Sequence, residues 1–177
     1  MADVPSIAFS HVGIYVKDME RMVAFYTRLL GLVLTDRGEI RSGEIAFLSR
    51  STADHHQVAL VSGRTAEETT VNQLAFRLAS LADLRTMRDA VADDPDAGEI
   101  VPMSHGNAWS IYFADPEGNR IECFVDSPFY VQQPQGRAFD LSASDEEIEA
   151  TTREQFGDEP SFRPVEQWRA DFAKQLS

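Results

Sequence analysis

The feature that most constrains this chain is an order of elements that occurs twice. Residues 7–16 lead into an alternating stretch, with Val12, Ile14 and Val16 on one face and His11, Gly13 and Tyr15 on the other, the period of a half-buried strand. Asp18 reads as an N-cap, and Met19, Met22, Val23, Tyr26, Leu29 and Leu30 follow at helical spacing until Gly31, whose missing Cβ suits a helix stop. Strand-like runs then fall at residues 32–35, 44–48 and 56–61. The order repeats: a strand at 71–78, a helix capped by Ser80 that carries Leu81, Leu84, Met87 and Val91 inward, then strands at 99–101, 109–113 and 120–125. Each copy has one apolar sheet face for its helix to cover and a second face free to curl. The expected fold is therefore α+β, two paired βαβββ modules (about 6–63 and 70–127) forming one cup-shaped domain over 6–127.

Past Asp126 the composition shifts to Pro, Gln and Gly, and PFYVQQPQG reads as an extended connector. Residues 128–177 then form a C-terminal helical tail. One helix starts near Ser142 or Ser144 in an acidic run, and a second starts at Pro164 and spaces Trp168, Phe172 and Leu176 four apart. Such a stripe calls for burial, whether on the parent domain, as a lid over the cup, or against a second subunit; a homodimer is expected.

Charge and cysteine content narrow the partners. With 16 Lys+Arg against 29 Asp+Glu the formal net charge is −13, which opposes phosphate backbones and anionic lipid, so no nucleic acid and no membrane partner is expected. The single cysteine, Cys123, has no intrachain partner, and the N-terminal MADVPSIAFS lacks a basic region followed by an apolar one. A cytoplasmic location is the expectation. Cys123, between Glu122 and Phe124 in a strand, reads as buried and inert.

Chemistry then rests on few residues. There are four histidines, each at or just before the start of a strand. A lone strand histidine is more often a hydrogen-bonded structural residue than a ligand. The repeat changes that weighing: HVGIYV aligns with QLAFRL, so His11 has Gln73 as its equivalent in the second module. Glu122 sits in mid-strand between Ile121 and Cys123, where a carboxylate must be solvated, paired or bound to a metal. It pairs with Arg120 or Arg77 at a solvated edge, or else His11, Gln73 and Glu122 hold a divalent ion from three strands and leave positions open for substrate. His55 and His56 beside Asp54 admit an exposed-turn reading, and Tyr112 a core one.

The segment HGNAWSIYFADPEGNRIECF resembles the signature of type I extradiol dioxygenases in the vicinal-oxygen-chelate superfamily, which also contains glyoxalases, bleomycin and fosfomycin resistance proteins and methylmalonyl-CoA epimerases. His105, Ile111, Tyr112, Asp115, Pro116, Gly118 and Glu122 match that pattern, while Met103 departs from it. HHQVALV is similar to the run that carries the family's catalytic base, and NQLAFRL to its NHLAF-type strand. The resemblance implies metal ligands His11, Gln73 and Glu122, an acid/base at His56 with His55 the less favoured neighbour, and substrate-contacting groups at His105 and Tyr112. Gln73 departs from the family's second metal histidine, and an amide oxygen is a weaker donor for iron.

What the resemblance implies in function is an oxidoreductase that cleaves a catechol-type aromatic diol with O2, using a divalent metal, Fe(II) before Mn. Small molecules, the aromatic diol and O2, are then its partners. Two alternatives keep the fold: an epimerase or glyoxalase-type isomerase or lyase that stabilises an enolate, and a non-catalytic protein that sequesters an aromatic ligand.

Overall fold

The computed structural model describes residues 7–176. The chain divides into two compact units, Met1–Val71 with Asp115–Gly118, and Asn72–Ala114 with Asn119–Ser177.

In the first unit, β1 (Val12–Val16), α1 (Met19–Arg28), β2 (Val33–Ile40), β3 (Gly43–Ser49) and β4 (Val58–Ser62) follow the expected βαβββ order. The sheet order is β1-β4-β3-β2, with β1 parallel to β4 and the other pairs antiparallel. Along β1, Ile14 and Val16 are buried while Gly13 and Tyr15 are exposed, the alternation read from the sequence. Asp18 caps α1 by accepting from the Arg21 N–H, and Met19, Met22, Phe25 and Tyr26 form the buried face of the helix. Gly31 adopts φ +63°, and the chain turns there so that the Leu32 N–H reaches the Tyr26 carbonyl.

The turn residues of the DPEG motif, Asp115–Gly118, also belong to this unit. The Glu117 carboxylate accepts from the backbone N–H groups of Lys17 (2.7 and 2.9 Å) and Asp18 (2.8 Å) at the entrance to α1, with Arg64 3.6 Å away. An anion at the start of a helix meets its unpaired N–H groups, so this glutamate acts as an anchor for α1. Asp115 accepts from the buried Tyr26 hydroxyl and from the Glu117 N–H, and Gly118, at φ +79°, closes the turn. The signature residues Asp115, Pro116 and Gly118 thus build a turn.

The second unit repeats the order with β5 (Leu74–Arg77), α2 (Leu81–Asp93), β6 (Val101–Ser104), β7 (Ala108–Ala114) and β8 (Arg120–Asp126). Its sheet order is β5-β8-β7-β6, with β5 parallel to β8. The β8 strand is therefore interior, hydrogen-bonded on both sides. Ile111, Phe113, Ile121 and Cys123 are buried on one face, and α2 supplies Leu81, Leu84 and Val91 to the core. Burial holds the Cys123 thiol up at about 12, so it is the inert sulfur expected.

The tail departs from its reading as a plain connector. Phe129–Tyr130 forms β9, paired antiparallel with β10 (Arg163–Pro164), and Ser104 bridges Arg137. Ser144, not Ser142, caps α3 (Asp145–Phe156) through a complete capping box with Glu147. Ile148, Thr152 and Phe156 bury, and Thr152 accepts the indole N–H of Trp109 at 2.8 Å. The α4 helix (Val165–Ala173) starts as expected after Pro164, yet none of its residues is buried, with Phe172 41% and Leu176 75% exposed. Within the chain Tyr130 stacks on Trp168 and Trp168 on Phe172, with centroids 5.1 and 5.2 Å apart. Among the described residues no helix is long and apolar enough to cross a membrane.

Candidate active site

Glu122 is the pivot of the second unit. Its register partners are Tyr112 on β7 and Ala75 on β5, and Gln73 lies two residues before Ala75, so alternation puts Gln73, Ser110, Tyr112 and Glu122 on one face. That face gathers three donors on the carboxylate. Ser110 Oγ and the Tyr112 hydroxyl each donate to Oε1 at 2.7 Å, and Gln73 Nε2 donates to Oε2 at 2.6 Å. Glu122 is only 7% exposed. The Arg120 and Arg77 pairing considered from the sequence is absent: the Arg120 guanidinium lies 4.1 Å from the centroid of the Tyr112 ring, and Arg77 pairs with Asp126. All three hydrogen bonds come from neutral groups, and the side chain beside it that can carry a positive charge is His105, with Nε2 at 3.9 Å.

His105 follows β6, where its backbone N–H closes a turn to the Ala108 carbonyl. Its Nδ1 lies 2.6 Å from the Gln135 carbonyl and its Nε2 2.8 Å from the Tyr112 hydroxyl. A carbonyl only accepts, so Nδ1 carries a proton. The Nε2 then accepts the Tyr112 proton in the neutral ring or donates to Tyr112 in the imidazolium, and in the latter state a directed chain runs from His105 through Tyr112 to Glu122. Burial, with Glu122 as hydrogen-bond acceptor and neighbouring charge, raises the Tyr112 phenol well above its ordinary range, so this hydroxyl stays protonated as a donor.

The first unit collects the other histidines. His11 and His56 have ring centroids 4.1 Å apart, and Phe47 sits 4.7 Å from His56. His55 and His56 precede β4 in a turn that Ser49 Oγ closes on the Asp54 carbonyl, since the ladder begins only where the Gln57 N–H meets Leu48. His55 Nε2 lies 2.7 Å from Asp36 Oδ2, and its Nδ1 3.0 Å from His56 Nδ1. With His55 protonated on Nε2 for the carboxylate, its Nδ1 accepts from His56, and the His56 Nε2 presents a lone pair. Desolvation first, then the charges of His11 and His55, lowers the His56 pKa from 6.5, which keeps the ring neutral near pH 7.

Of the expected ligands, His11 lies in the first unit, and Gln73 and Glu122 meet in the second. Among the described residues no three of His, Cys, Asp and Glu are grouped as a metal site. The residues of the second unit nonetheless fit a cation, because Glu122 is a buried carboxylate whose hydrogen-bond donors are all neutral. Ser110, Asp36 and Gln135 were not anticipated. Ser110 was legible as the polar residue two before Tyr112 on an otherwise apolar strand; Asp36 and Gln135 carry no such signal, being brought in by pairing and by the tail.

The family model for the glyoxalase/bleomycin resistance protein/dioxygenase superfamily matches residues 8–123. Metapyrocatechase of Pseudomonas sp. (strain CF600) is 28% identical over 131 residues, covering 72% of this chain and 42% of that enzyme, so the chain spans less than half of that relative's length. Biphenyl-2,3-diol 1,2-dioxygenase 2 of Rhodococcus globerulus is 25% identical over 151 residues, 75% of this chain and 76% of the relative. The fosfomycin resistance protein FosX of Listeria monocytogenes, solved with Mn(II) and sulfate ion, shares the fold at TM-score 0.55 and 20% identity, over 68% of this chain and 93% of FosX. With two βαβββ units, the signature turn in place and the family model covering both, the chain belongs to the glyoxalase/bleomycin resistance protein/dioxygenase superfamily.

Proposed function

We propose that the protein is a metal-dependent enzyme of the extradiol ring-cleaving kind, acting on a catechol-type aromatic diol and O2. The observation that carries the reading is Glu122, a buried carboxylate held by neutral donors and flanked by the Tyr112–His105 pair. Glu122 and Gln73 are assigned to the ion, with His11 added from the sequence resemblance, and Fe(II) is the ion proposed. When bound, such an ion neutralises the two diol oxygens and provides the redox partner for O2.

The remaining roles belong to side chains. Gln73 already uses its amide nitrogen on Glu122, which leaves the amide oxygen as the atom that would face the ion. Ser110 and Tyr112 fix the carboxylate in one rotamer, the preorganisation that a weak amide co-ligand requires. His56, assigned as the base, takes up the proton released as the diol ionises. Tyr112, and His105 when its Nε2 is also protonated, donate hydrogen bonds to negative charge developing on a substrate oxygen. The dioxygenase relatives support this choice within the superfamily. An anaerobically prepared, Fe(II)-loaded sample should consume O2 on addition of at least one of a panel of catechols; no uptake with any of them removes the proposal.

One observation favours a second reading. Gln73 stands where ring-cleaving enzymes place an imidazole, and an amide beside a carboxylate suits a redox-inert ion that stabilises an enolate. Metal-dependent solvent deuterium exchange into 2-oxo thioesters or hemithioacetals, without O2 uptake, would select it.

A further inference from the structure

The C-terminal segment reaches the candidate site through one loop. The Gln135 carbonyl meets His105 Nδ1 at 2.6 Å. What holds that carbonyl is the side chain of Gln133, whose Oε1 accepts from the Gln135 N–H at 3.0 Å while its Nε2 donates to the His105 carbonyl at 2.8 Å. A single amide thus ties the backbone on both sides of the imidazole contact. Around it, Ser104 and Arg137 exchange two backbone hydrogen bonds of 2.8 and 2.9 Å. Gly106, at φ +76°, brings the turn so close to the tail that a Cβ there would clash with Val131 and lie 3.3 Å from Phe156. The histidine turn and the tail are packed as one body.

We infer that Gln133, acting through the Gln135 carbonyl, is a positioning residue that fixes His105 in its Nδ1–H form and aims Nε2 at Tyr112. This gives the tail a role distinct from a lid or a docking arm: it sets which ring nitrogen the site can use. The chemistry is directional. An imidazole released from the carbonyl can place its proton on Nε2, and that tautomer cannot accept from the Tyr112 hydroxyl. It donates from Nε2 to the Tyr112 oxygen instead, and Tyr112 gives its one proton to Glu122, so the direction of the hydrogen bond between histidine and tyrosine is reversed.

The inference rests on the placing of His105 in the site proposed above, so its test carries one readout that needs no activity. In the full-length, metal-free chain labelled with 15N, long-range 1H–15N correlations at a pH where the rings are neutral report the tautomer of His105 directly. The parent should show a protonated Nδ1 and an unprotonated Nε2. Gln133→Ala should shift His105 toward a tautomer mixture, while Gln135→Ala, which keeps the backbone carbonyl, should leave it unchanged. With a catechol substrate, Gln133→Ala should lower kcat roughly 10-fold with KM little altered. A parent already protonated on Nε2, a Gln133→Ala spectrum identical to the parent, or equal effects of both variants would each overturn the inference. If the tautomer moves as expected and no catechol is turned over by the parent, positioning stands and it is the ring-cleavage reading that fails.

Discussion

Replacing Glu122 in two ways separates its charge from its hydrogen bonds. In Glu122→Ala, the Gln73 amide and the Ser110 and Tyr112 hydroxyls lose their common acceptor in a buried setting. A buried donor left without a partner costs about 1–3 kcal/mol. Tyr112 has His105 Nε2 as a second acceptor, so its loss is partly recovered. The net cost of Glu122→Ala in the metal-free protein should be about 2–4 kcal/mol. For a chain of this size that corresponds to roughly 5–15 °C in Tm. Glu122→Gln keeps the shape, and its amide is satisfied by a flip of Gln73 and rotation of the hydroxyls, while the burial penalty of an uncompensated charge disappears. Its metal-free stability should lie within about 1 kcal/mol of the parent. Ion at a hundredfold excess over Kd should add about 2.7 kcal/mol to the parent and nothing to either variant. Denaturant titrations with and without Mn(II) measure all three proteins. Equal stabilities of the Ala and Gln variants, or a Glu122→Gln protein that gains as much from metal as the parent, would refute the reasoning.

Other residues give sharper local tests. Glu117→Ala removes the carboxylate that meets the Lys17 and Asp18 N–H groups and should cost roughly 3 kcal/mol, as for other buried charge-assisted bonds, while leaving metal affinity unchanged; equilibrium unfolding reads it. His56→Ala should keep metal content and slow catechol turnover by about 10²–10⁴-fold. Because the folded His56 binds its proton less tightly than an unfolded histidine of pKa 6.5, its contribution to stability is complete above pH 6.5 and declines as pH falls below it; the slope of stability against pH in that window should flatten in His56→Ala. Phe172→Ser, on the exposed stack of α4, should change stability by no more than about 1 kcal/mol; a larger loss measured by urea unfolding would mean that the helix is covered in solution.

Much of this architecture was legible because it is periodic. The alternation along β1, the Asp18 and Ser80 caps and the repeated element order all follow from local rules that few tertiary contacts override. Strand ends were less legible: β4 starts at Val58, two residues after the run of strand-formers suggested, because Ser49 and Gln57 close the preceding turn. The grouping of Gln73 with Glu122 followed from aligning the two modules. The partners that orient the histidines did not, since Asp36 meets His55 across 19 positions and Gln135 meets His105 across 30, and neither separation leaves a mark in composition or spacing. The stripe of α4 was legible as a helix face, but its stacking with Tyr130 was not, since that ring comes from a strand more than thirty positions earlier.

Elemental analysis of the anaerobically purified protein bears most directly on the claim that Glu122 anchors a metal centre. Parent protein should carry a near-equimolar divalent ion that supports catechol-dependent O2 uptake, and Glu122→Gln, folded to the same stability, should carry none. Equal metal content in the two proteins, or full O2 uptake by a parent stripped of metal, would contradict it.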